Sequence, residues 1–429
     1  MPSLHAQTVT GTILGTVRDQ QGAVIPNSTV TAKNTGTGAE RTAAADSSGR
    51  SNIVSVPAGS YEVTATANGF QTVAQTDVTM TVGATLRLDF MLNVGAVAEK
   101  VEVTGEAPQV DTTTSTMSSL VAETQIHELP LNGRDWLQLG ALQAGVLTIG
   151  STGSGSVSQG MGLKLSIGGG RPSHNAYRID GLVVNDQTNF SPGNVMGANL
   201  GVDSIREFSV LTNTYSAEYG RSAGGVVNAI TKSGTNTIHG TAFEFLRNSD
   251  LDARNFFDTA RAPLPSSPPA FRRNQFGGSV GGPIKKDKLF YFANYEGLRQ
   301  FLAQTSSTAF TLSPDARNGL LCNTPCTSKT QVAVDPRIKP YLPLFPLPTQ
   351  PTTGDTGRFL LPIGQDGKED FVTGRMDYQL SSNTSVAGTF SFDNTNLTVP
   401  DPFDAKLLAT RSRNQRVVLS LQHIFSPTV

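Results

Sequence analysis

The groups able to carry out chemistry in this chain are few and scattered. Five histidines, His5, His127, His174, His239 and His423, form no HxxH, HExxH or HxxE pair of the kind that holds a catalytic zinc. No Gly-x-Ser-x-Gly turn leads into a helical stretch, as an activated serine would require. The Gly/Ser-rich run 151–162 lacks the Gly-Lys-Ser/Thr ending with which a phosphate loop grips a nucleotide. Two cysteines, Cys322 and Cys326, occur as Cys-Asn-Thr-Pro-Cys, weak evidence for zinc without a second Cys or His pair and reasonable for a small loop disulfide in an oxidising compartment. Catalysis is therefore not expected, nor is a metal or cofactor.

Composition narrows the field further. The net charge of −1, from 33 basic and 34 acidic residues, offers no broad cationic surface for nucleic acid or anionic lipid. Charged residues make up 16% of the chain, below the usual quarter, and 43 glycines among Thr, Ser, Val and Asn give a turn-rich β composition. No apolar run approaches the roughly 18 residues of a membrane helix, so a membrane-spanning form would be a barrel. Met1–Gln7 lacks the basic and apolar regions of a secretion signal, yet Leu4-His5-Ala6 before Gln7 is similar to the tail of one, with Ala6 at the cleavage position. A start site placed too late and an ordinary cytosolic start are both open.

The elements that must position any functional group fall into three regions. From 9 to 93, short runs at 13–17, 30–33, 53–56, 61–66 and 85–92 are separated by Asp19-Gln20-Gln21-Gly22, Asp46-Ser47-Ser48-Gly49, Pro57-Ala58-Gly59 and Asn68-Gly69, the spacing of a compact β-sandwich. Residues 94–116 read as a linker holding one extended run, Val101, Glu102, Val103, Thr104 and Gly105. Residues 117–235 mix a short helical stretch at 136–142 with strand-like segments. From 236 to 429, strands of roughly ten residues alternate apolar with small or polar groups, as a membrane strand must. In 371–380, Val372, Gly374, Met376, Tyr378 and Leu380 oppose Thr373, Arg375, Asp377 and Gln379, and 385–393 and 416–425 behave alike. Connections at 247–272, 283–288, 298–370, 381–384 and 394–414 alternate long and short, the asymmetry of extracellular loops and periplasmic turns.

Two regions resemble known families. Gly15-x-Val17-x-Asp19, Gly22-Ala23-x-Ile25-Pro26, Asp46-x-x-Gly49, Val56-Pro57-x-Gly59-x-Tyr61 and Gly69-Phe70 resemble the carboxypeptidase regulatory-like domain, a non-catalytic transthyretin-like sandwich with a carbohydrate-binding-like fold. Leu129-Pro130-Leu131-Asn132-Gly133-Arg134, Tyr177-Arg178-Ile179-Asp180-Gly181, Tyr215-Ser216-Ala217-Glu218-Tyr219-Gly220-Arg221 and Thr231-Lys232-Ser233-Gly234-Thr235-Asn236 resemble the plug of TonB-dependent outer-membrane receptors, in the Oar-like branch. Gln143-Ala144-Gly145 departs from the branch, which usually shows a Pro-Gly there.

Together these give a mainly β chain: a β-sandwich at 9–93, the linker, a small α+β plug at 117–235, and about six antiparallel strands of an incomplete transmembrane barrel at 236–429. Because Phe425-Ser426-Pro427 stands where a periplasmic turn would begin, the chain is expected to be a fragment. The resemblance implies energy-coupled uptake of an extracellular solute, carbohydrate or peptide, in the outer membrane of a Gram-negative bacterium. The partners are then outer-membrane lipid and a TonB-type energiser; no nucleic acid is expected. Val101–Gly105 is either an ordinary edge strand or the TonB box that the energiser captures by strand addition. The alternative function is a surface-binding or adhesion protein with a saccharide-binding sandwich.

Within this frame, Arg134, Arg171 and Arg221 either meet lumen-facing Glu244 and Glu296 or are solvated in a wet lumen. Glu218 and Arg221 either reach beyond their turn or pair with each other. Asp180-Gly181 is either a hairpin turn or a ligand contact. The flanking Tyr219 and Gly220 belong to the same plug signature.

Overall fold

The computed structural model describes residues 10–95, 100–104, 117–149, 163–253, 268, 270–305, 309–359 and 362–425, apart from 130, 132–133, 187, 198–200, 216–218, 221, 402 and 404–405. The expected leader remnant at 1–7, the Gly/Ser run 151–162 and Gly105 lie outside the described residues.

Period-two burial builds the first unit. Strand β1 (Thr10–Asp19) buries Ile13, Gly15 and Val17 and leaves Leu14 and Thr16 half-exposed. It is followed by β2 (Thr29–Asn34), β3 (Glu40–Ala44), β4 (Arg50–Pro57), β5 (Gly59–Thr66), β6 (Thr72–Met80), β7 (Thr85–Arg87), β8 (Phe90–Leu92) and β9 (Lys100–Thr104). One sheet runs β4-β1-β7 with β8 also on β1, the other β3-β2-β5-β6-β9. Between them Ile13, Val17, Val56, Tyr61, Val63, Val78, Met80 and Phe90 form one core. The expected run 85–92 divides because Asp89 leaves the ladder to accept the backbone N–H and hydroxyl of Thr16 at 2.9 and 2.7 Å. Strands β3 and β6 escaped the sequence reading, since their Ala, Thr and Gln give little hydrophobic contrast. The extended run within 94–116 forms β9, an edge strand of this second sheet, parallel to β6.

The second unit contains β10 (Met117–Val121), α1 (Glu123–Glu128), α2 (Leu137–Gly140), β11 (Val146–Thr148), β12 (Leu165–Ile167), β13 (Ala176–Ile179), β14 (Leu182–Val183), β15 (Ile205–Asn213) and β16 (Val226–Thr231). Its main sheet has the order β10-β15-β16-β13-β14. Every residue of β16 is buried, as befits a strand covered on both faces. Trp136 packs edge-on to Phe208 with ring centroids 5.1 Å apart, in a core with Leu137, Leu165, Tyr177 and Val227.

The third unit is one antiparallel sheet of six strands, β17 (His239–Asn248), β18 (Phe271–Lys285), β19 (Leu289–Thr305), then β24 (Pro362–Ser381), β25 (Thr384–Pro400) and β26 (Leu407–His423), in sequential order and not closed into a barrel. Its connections are short at one end, 286–288 and 382–383, and longer at the other, 249–270, 306–361 and 401–406. The strands extend further toward the long-loop end than their apolar alternation suggested, so the expected loop 394–414 shrinks to 401–406. Nor is the longest connection structureless: it holds β20 (Phe310–Leu312), α3 (Pro314–Arg317), β21 (Leu320–Asn323), β22 (Ser328–Gln331) and β23 (Thr356–Arg358). Cys322 and Cys326 are joined there as a disulfide.

Register that is continuous except beside the short turns, at 283–285 and 379–381, assigns each sheet residue to a face. Val280, Ala293, Gly374, Phe390 and Val417 lie opposite one another in one row, Tyr291, Met376, Gly388 and Leu419 in the next, and Leu289, Tyr378, Val386 and Leu421 beyond it. Leu419, Leu421, Val417 and Met376 are 79%, 69%, 62% and 50% exposed, and side chains this apolar in a continuous band suit hydrocarbon rather than water. From the Val372 row to Leu380 the band covers about 26 Å of strand, and a tilt near 40° brings it to about 20 Å, near the height of a lipid-facing belt.

The sandwich sits against the short-turn end. Arg41, itself buried, donates to the Ser382 carbonyl and to Gln422, and Gln422 donates to the Ser55 carbonyl. Asn236 donates its backbone N–H to the Gly36 carbonyl and its amide to Asp287. Val82 N–H donates to buried Glu207 of β15 at 2.6 Å, and burial pushes that carboxyl above its usual range.

Close approach dictates glycine at residue 15, where a Cβ would stand 1.8 Å from the Leu88 carbonyl oxygen. Gly15→Ala is expected to destabilise the sandwich by about 1–3 kcal/mol through overpacking. Gly374→Ala, with nothing within 4 Å of the new Cβ, should change little. Calorimetry of the solubilised chain that gave both variants equal transition temperatures would refute this account.

Candidate functional site

The second unit meets the inner face of the six-stranded sheet through two charged clusters. The first begins with Arg134, whose φ of 54° is left-handed and uncommon for a residue bearing a Cβ. Next to it, Asp135 accepts the Leu137 backbone N–H at 3.0 Å and so starts α2, while Trp136 is held in the core. The chain thereby turns the Arg134 side chain out toward the wall. Its Nε donates to Glu296 Oε1 at 2.9 Å and its Nη2 to Asp203 at 3.0 Å, and the guanidinium lies over Phe243, 3.8 Å from the ring centroid. Glu296 has no exposed surface and also accepts from Gln275 Nε2 at 2.9 Å and the Gly201 N–H at 3.0 Å. Gly201 has a φ of 99°, and a Cβ there would lie 2.4 Å from Phe371. Three donors on one carboxylate compensate in part for the desolvation that disfavours its charge.

The second cluster centres on Asp180. Asp180 and Gly181, with φ of 49° and 84°, form the tight turn between β13 and β14, the left-handed pair that a two-residue hairpin favours. The Asp180 carboxylate also accepts from the Thr231 N–H and hydroxyl at 3.0 and 2.7 Å, from Thr389 at 2.9 Å and from Arg375 at 3.3 Å. Arg375 is aligned by a two-pronged contact with Asp377 on its own strand and donates to the Thr231 hydroxyl at 2.9 Å. Between the clusters is a cavity lined by Trp136, Leu182 and Val184 on one side and by Phe371, Thr389 and Val418 on the other.

The remaining residues singled out from sequence divide as follows. Glu244 is not on the inner face. The inner row reads Phe243, Gly277, Glu296, Phe371, Asp393 and Asn414, whereas Glu244 shares the outer row of Phe276, Asp370, Asn394 and Arg413, a polar rim above the apolar band. Phe243 and Phe245 face inward to cover the Arg134 guanidinium, which inverts the rule of apolar residues outside. Arg171 is exposed in the turn before Pro172–His174 and makes no ion pair among the described residues. Tyr219 is buried beneath Arg178, and the Gly220 carbonyl accepts from Arg178 at 3.1 Å. Glu218 and Arg221 lie outside the described residues. Val101–Thr104 form most of β9, on the far side of the sandwich sheet from β3.

Sequence reasoning missed Asp203, Gln275, Gly201 and Thr389. Arg375 and Asp377 carried a readable signal, two charges on the polar side of an alternating strand. Asp203, in a short turn of 3-10 helix before β15, carried none.

Residues 230–429 match the family described as outer membrane beta barrel domain, and residues 12–93 match the carboxypeptidase regulatory-like domain. The TonB-dependent transporter Oar of Myxococcus xanthus is 29% identical over 289 residues, covering 66% of this chain and 26% of that protein. A probable TonB-dependent siderophore receptor, PirA of Acinetobacter baumannii, is 28% identical over 187 residues, covering 41% of this chain and 22% of its own. The chain thus spans about a quarter of the length of the curated relatives it matches. Among solved structures, the outer membrane transporter YddB of Escherichia coli superposes with a TM-score of 0.47 at 13% identity, over 72% of this chain and 37% of that one.

Trp136 is the single tryptophan, so its fluorescence reports on the second unit alone. Glu296→Ala strips Arg134 of one carboxylate and should lower stability against urea by about 3–5 kcal/mol, with Glu296→Gln losing less; equal midpoints for wild type and Glu296→Ala would rule out the cluster as an anchor. A second expectation concerns Asp135, whose carboxyl is pushed up to about 7 by burial. The folded state then holds a proton that the unfolded state releases near pH 4, so stability falls as pH rises from about 4 to about 7, by up to about 4 kcal/mol. Asp135→Asn should flatten that slope, and a slope that persists in the variant would assign it elsewhere.

Proposed function

We infer that this homologue of the TonB-dependent transporter Oar, an outer-membrane β-barrel protein of a Gram-negative bacterium, is part of an energy-coupled importer in which residues 117–235 act as a plug. The observation that carries the reading is the pair of polar anchors, Arg134 to Glu296 and Asp180 to Arg375, which hold a compact β unit against the inner face of a sheet whose outer face is apolar. A plug has to fill the lumen firmly at rest and yet leave it reversibly. Hydrogen-bonded charge pairs suit that task, because water can replace each partner when the contact opens, whereas a wholly apolar contact would resist wetting.

In this reading an extracellular solute binds above the plug, and a TonB-type energiser in the periplasm pulls on the segment around Val101–Gly105. The short turns 286–288 and 382–383 then face the periplasm, and the disulfide-bearing connection 306–361 faces outward. The relatives bear the names of transporters and receptors, and no catalytic step is part of the proposal.

A gene-deletion strain carrying either the full-length gene or the same gene without codons 100–105 tests this. Uptake of a panel of ferric siderophores, oligosaccharides and peptides should require the proton-motive force in the first strain and fall to the deletion background in the second. Energy-dependent uptake that survives removal of 100–105 would disprove the assignment of that segment.

A further inference from the structure

The sandwich shares no apolar core with the other two units. Its buried cluster, from Ile13 and Val17 to Phe90 and Leu92, draws on the sandwich alone, and the clusters that hold Trp136, Tyr219 and Phe371 contain none of its residues. What joins it to the rest is polar. Arg41 is buried at the contact, yet its acceptors are the Ser382 carbonyl and the Gln422 amide, and no carboxylate pairs with it among the described residues. Gln422 returns a bond to the Ser55 carbonyl, Asn236 donates to the Gly36 carbonyl, and Val82 donates to Glu207. These points run from the entry to β17 to the end of β26, the first and last strands of the six-stranded sheet, and they include β15 of the second unit. The sandwich therefore lies across the short-turn end, tied to the wall and to the enclosed unit at once.

We propose that the sandwich is a releasable latch across the periplasmic mouth, and that it undocks as a folded body before the second unit can leave the lumen. The inference rests on the transport reading above and gives the sandwich a task within it: docked, it denies the second unit its exit at the short-turn end. A body with its own core separates without breaking a shared apolar cluster, and water can satisfy each carbonyl, amide and carboxylate that the separation bares. The Arg41 guanidinium, held by neutral acceptors, regains hydration on release, which offsets part of what the broken bonds cost. In the competing arrangement the sandwich stays docked throughout and the solute moves past it.

The two arrangements separate when the contact is locked. The Val82 amide is a reporter of docking, since its acceptor, Glu207, lies across the contact. In full-length receptor held in lipid nanodiscs, Val82 should exchange its hydrogen about 100-fold or more faster than Val17 and Val63 of the sandwich core, after correction for intrinsic rates. Gly36→Cys with Thr235→Cys ties the sandwich to the wall, because a Cβ at residue 36 would stand 3.8 Å from that of residue 235, within disulfide reach. Oxidised, the lock should slow Val82 exchange about tenfold or more. In cells it should cut energised uptake of the panel of ferric siderophores, oligosaccharides and peptides by about tenfold or more, and dithiothreitol should reverse both effects, beside wild type treated alike. Uptake by the oxidised lock within about twofold of its reduced form would overturn the latch, as would Val82 exchange as slow as that of the core. Should wild type show no energy-dependent uptake while Val82 still responds to the lock, the transport reading falls and the undocking stands.

Discussion

A strand in hydrocarbon finds hydrogen-bond partners for its backbone only in another strand, and its side chains then have just two directions in which to point. Most of the third unit follows from that constraint. Because the ladders from β17 to β26 run without a slip through their middle, one decision about which face meets lipid settles rows of residues at once. Leu419 and Met376 belong to the lipid face for the same reason that Glu296 and Arg375 belong to the inner one. The inner residues cannot be judged singly. A charge on that face is held by whatever the sheet encloses, and here that is the second unit.

Glu296 illustrates how exacting this becomes. A carboxylate with no exposed surface calls for donors on several sides, and they come from three stretches of chain: Arg134 before α2, Gln275 on β18 and the Gly201 backbone, with Asp203 accepting the other arm of Arg134. Each donor imposes a local condition. Arg134 accepts a left-handed backbone, position 201 has to be glycine, and Phe243 turns inward to cover the guanidinium. Strain of this kind persists when the surroundings over-determine it, and here the wall, the turn and the aromatic cover all do so.

How much of this could be read beforehand depended on the contrast each feature shows along the chain. The sandwich strands with Ile, Val and Tyr on one face were legible, while β3 and β6, built largely from Thr, Ala and Gln, were not. The six-stranded sheet was legible because lipid demands alternation over a whole strand, and the same demand misled at Glu244. On β17 the aromatic residues face inward, so a rule that sends apolar groups outward assigns the wrong parity, and a one-residue error moves every side chain across the sheet. The ends of the strands were hidden for a related reason. Beyond the apolar band, β24 and β25 continue with Asp366, Lys368, Asn394 and Asn396 on one face and the buried but polar Glu369 and Thr395 on the other, so no apolar–polar alternation marks the ladder. Of the two anchors, the arginine and glutamate could be named from their types, but Asp203 and Thr389 become partners only through contacts distant in sequence.

The two anchors also differ in height, and this bears on how the unit is held. Glu296 lies opposite Phe371, and Arg375 is four residues further along the same strand, so the attachment points are separated by about 13 Å along it. One polar contact would let the enclosed unit pivot about it. Two contacts at different heights, one through the turn before α2 and the other through the β13–β14 hairpin, fix its orientation as well as its depth. They are also independent in the chain, since Arg134 and Asp180 project from different elements of one rigid core around Trp136 and Phe208. A pull on one element therefore loads both anchors through that core.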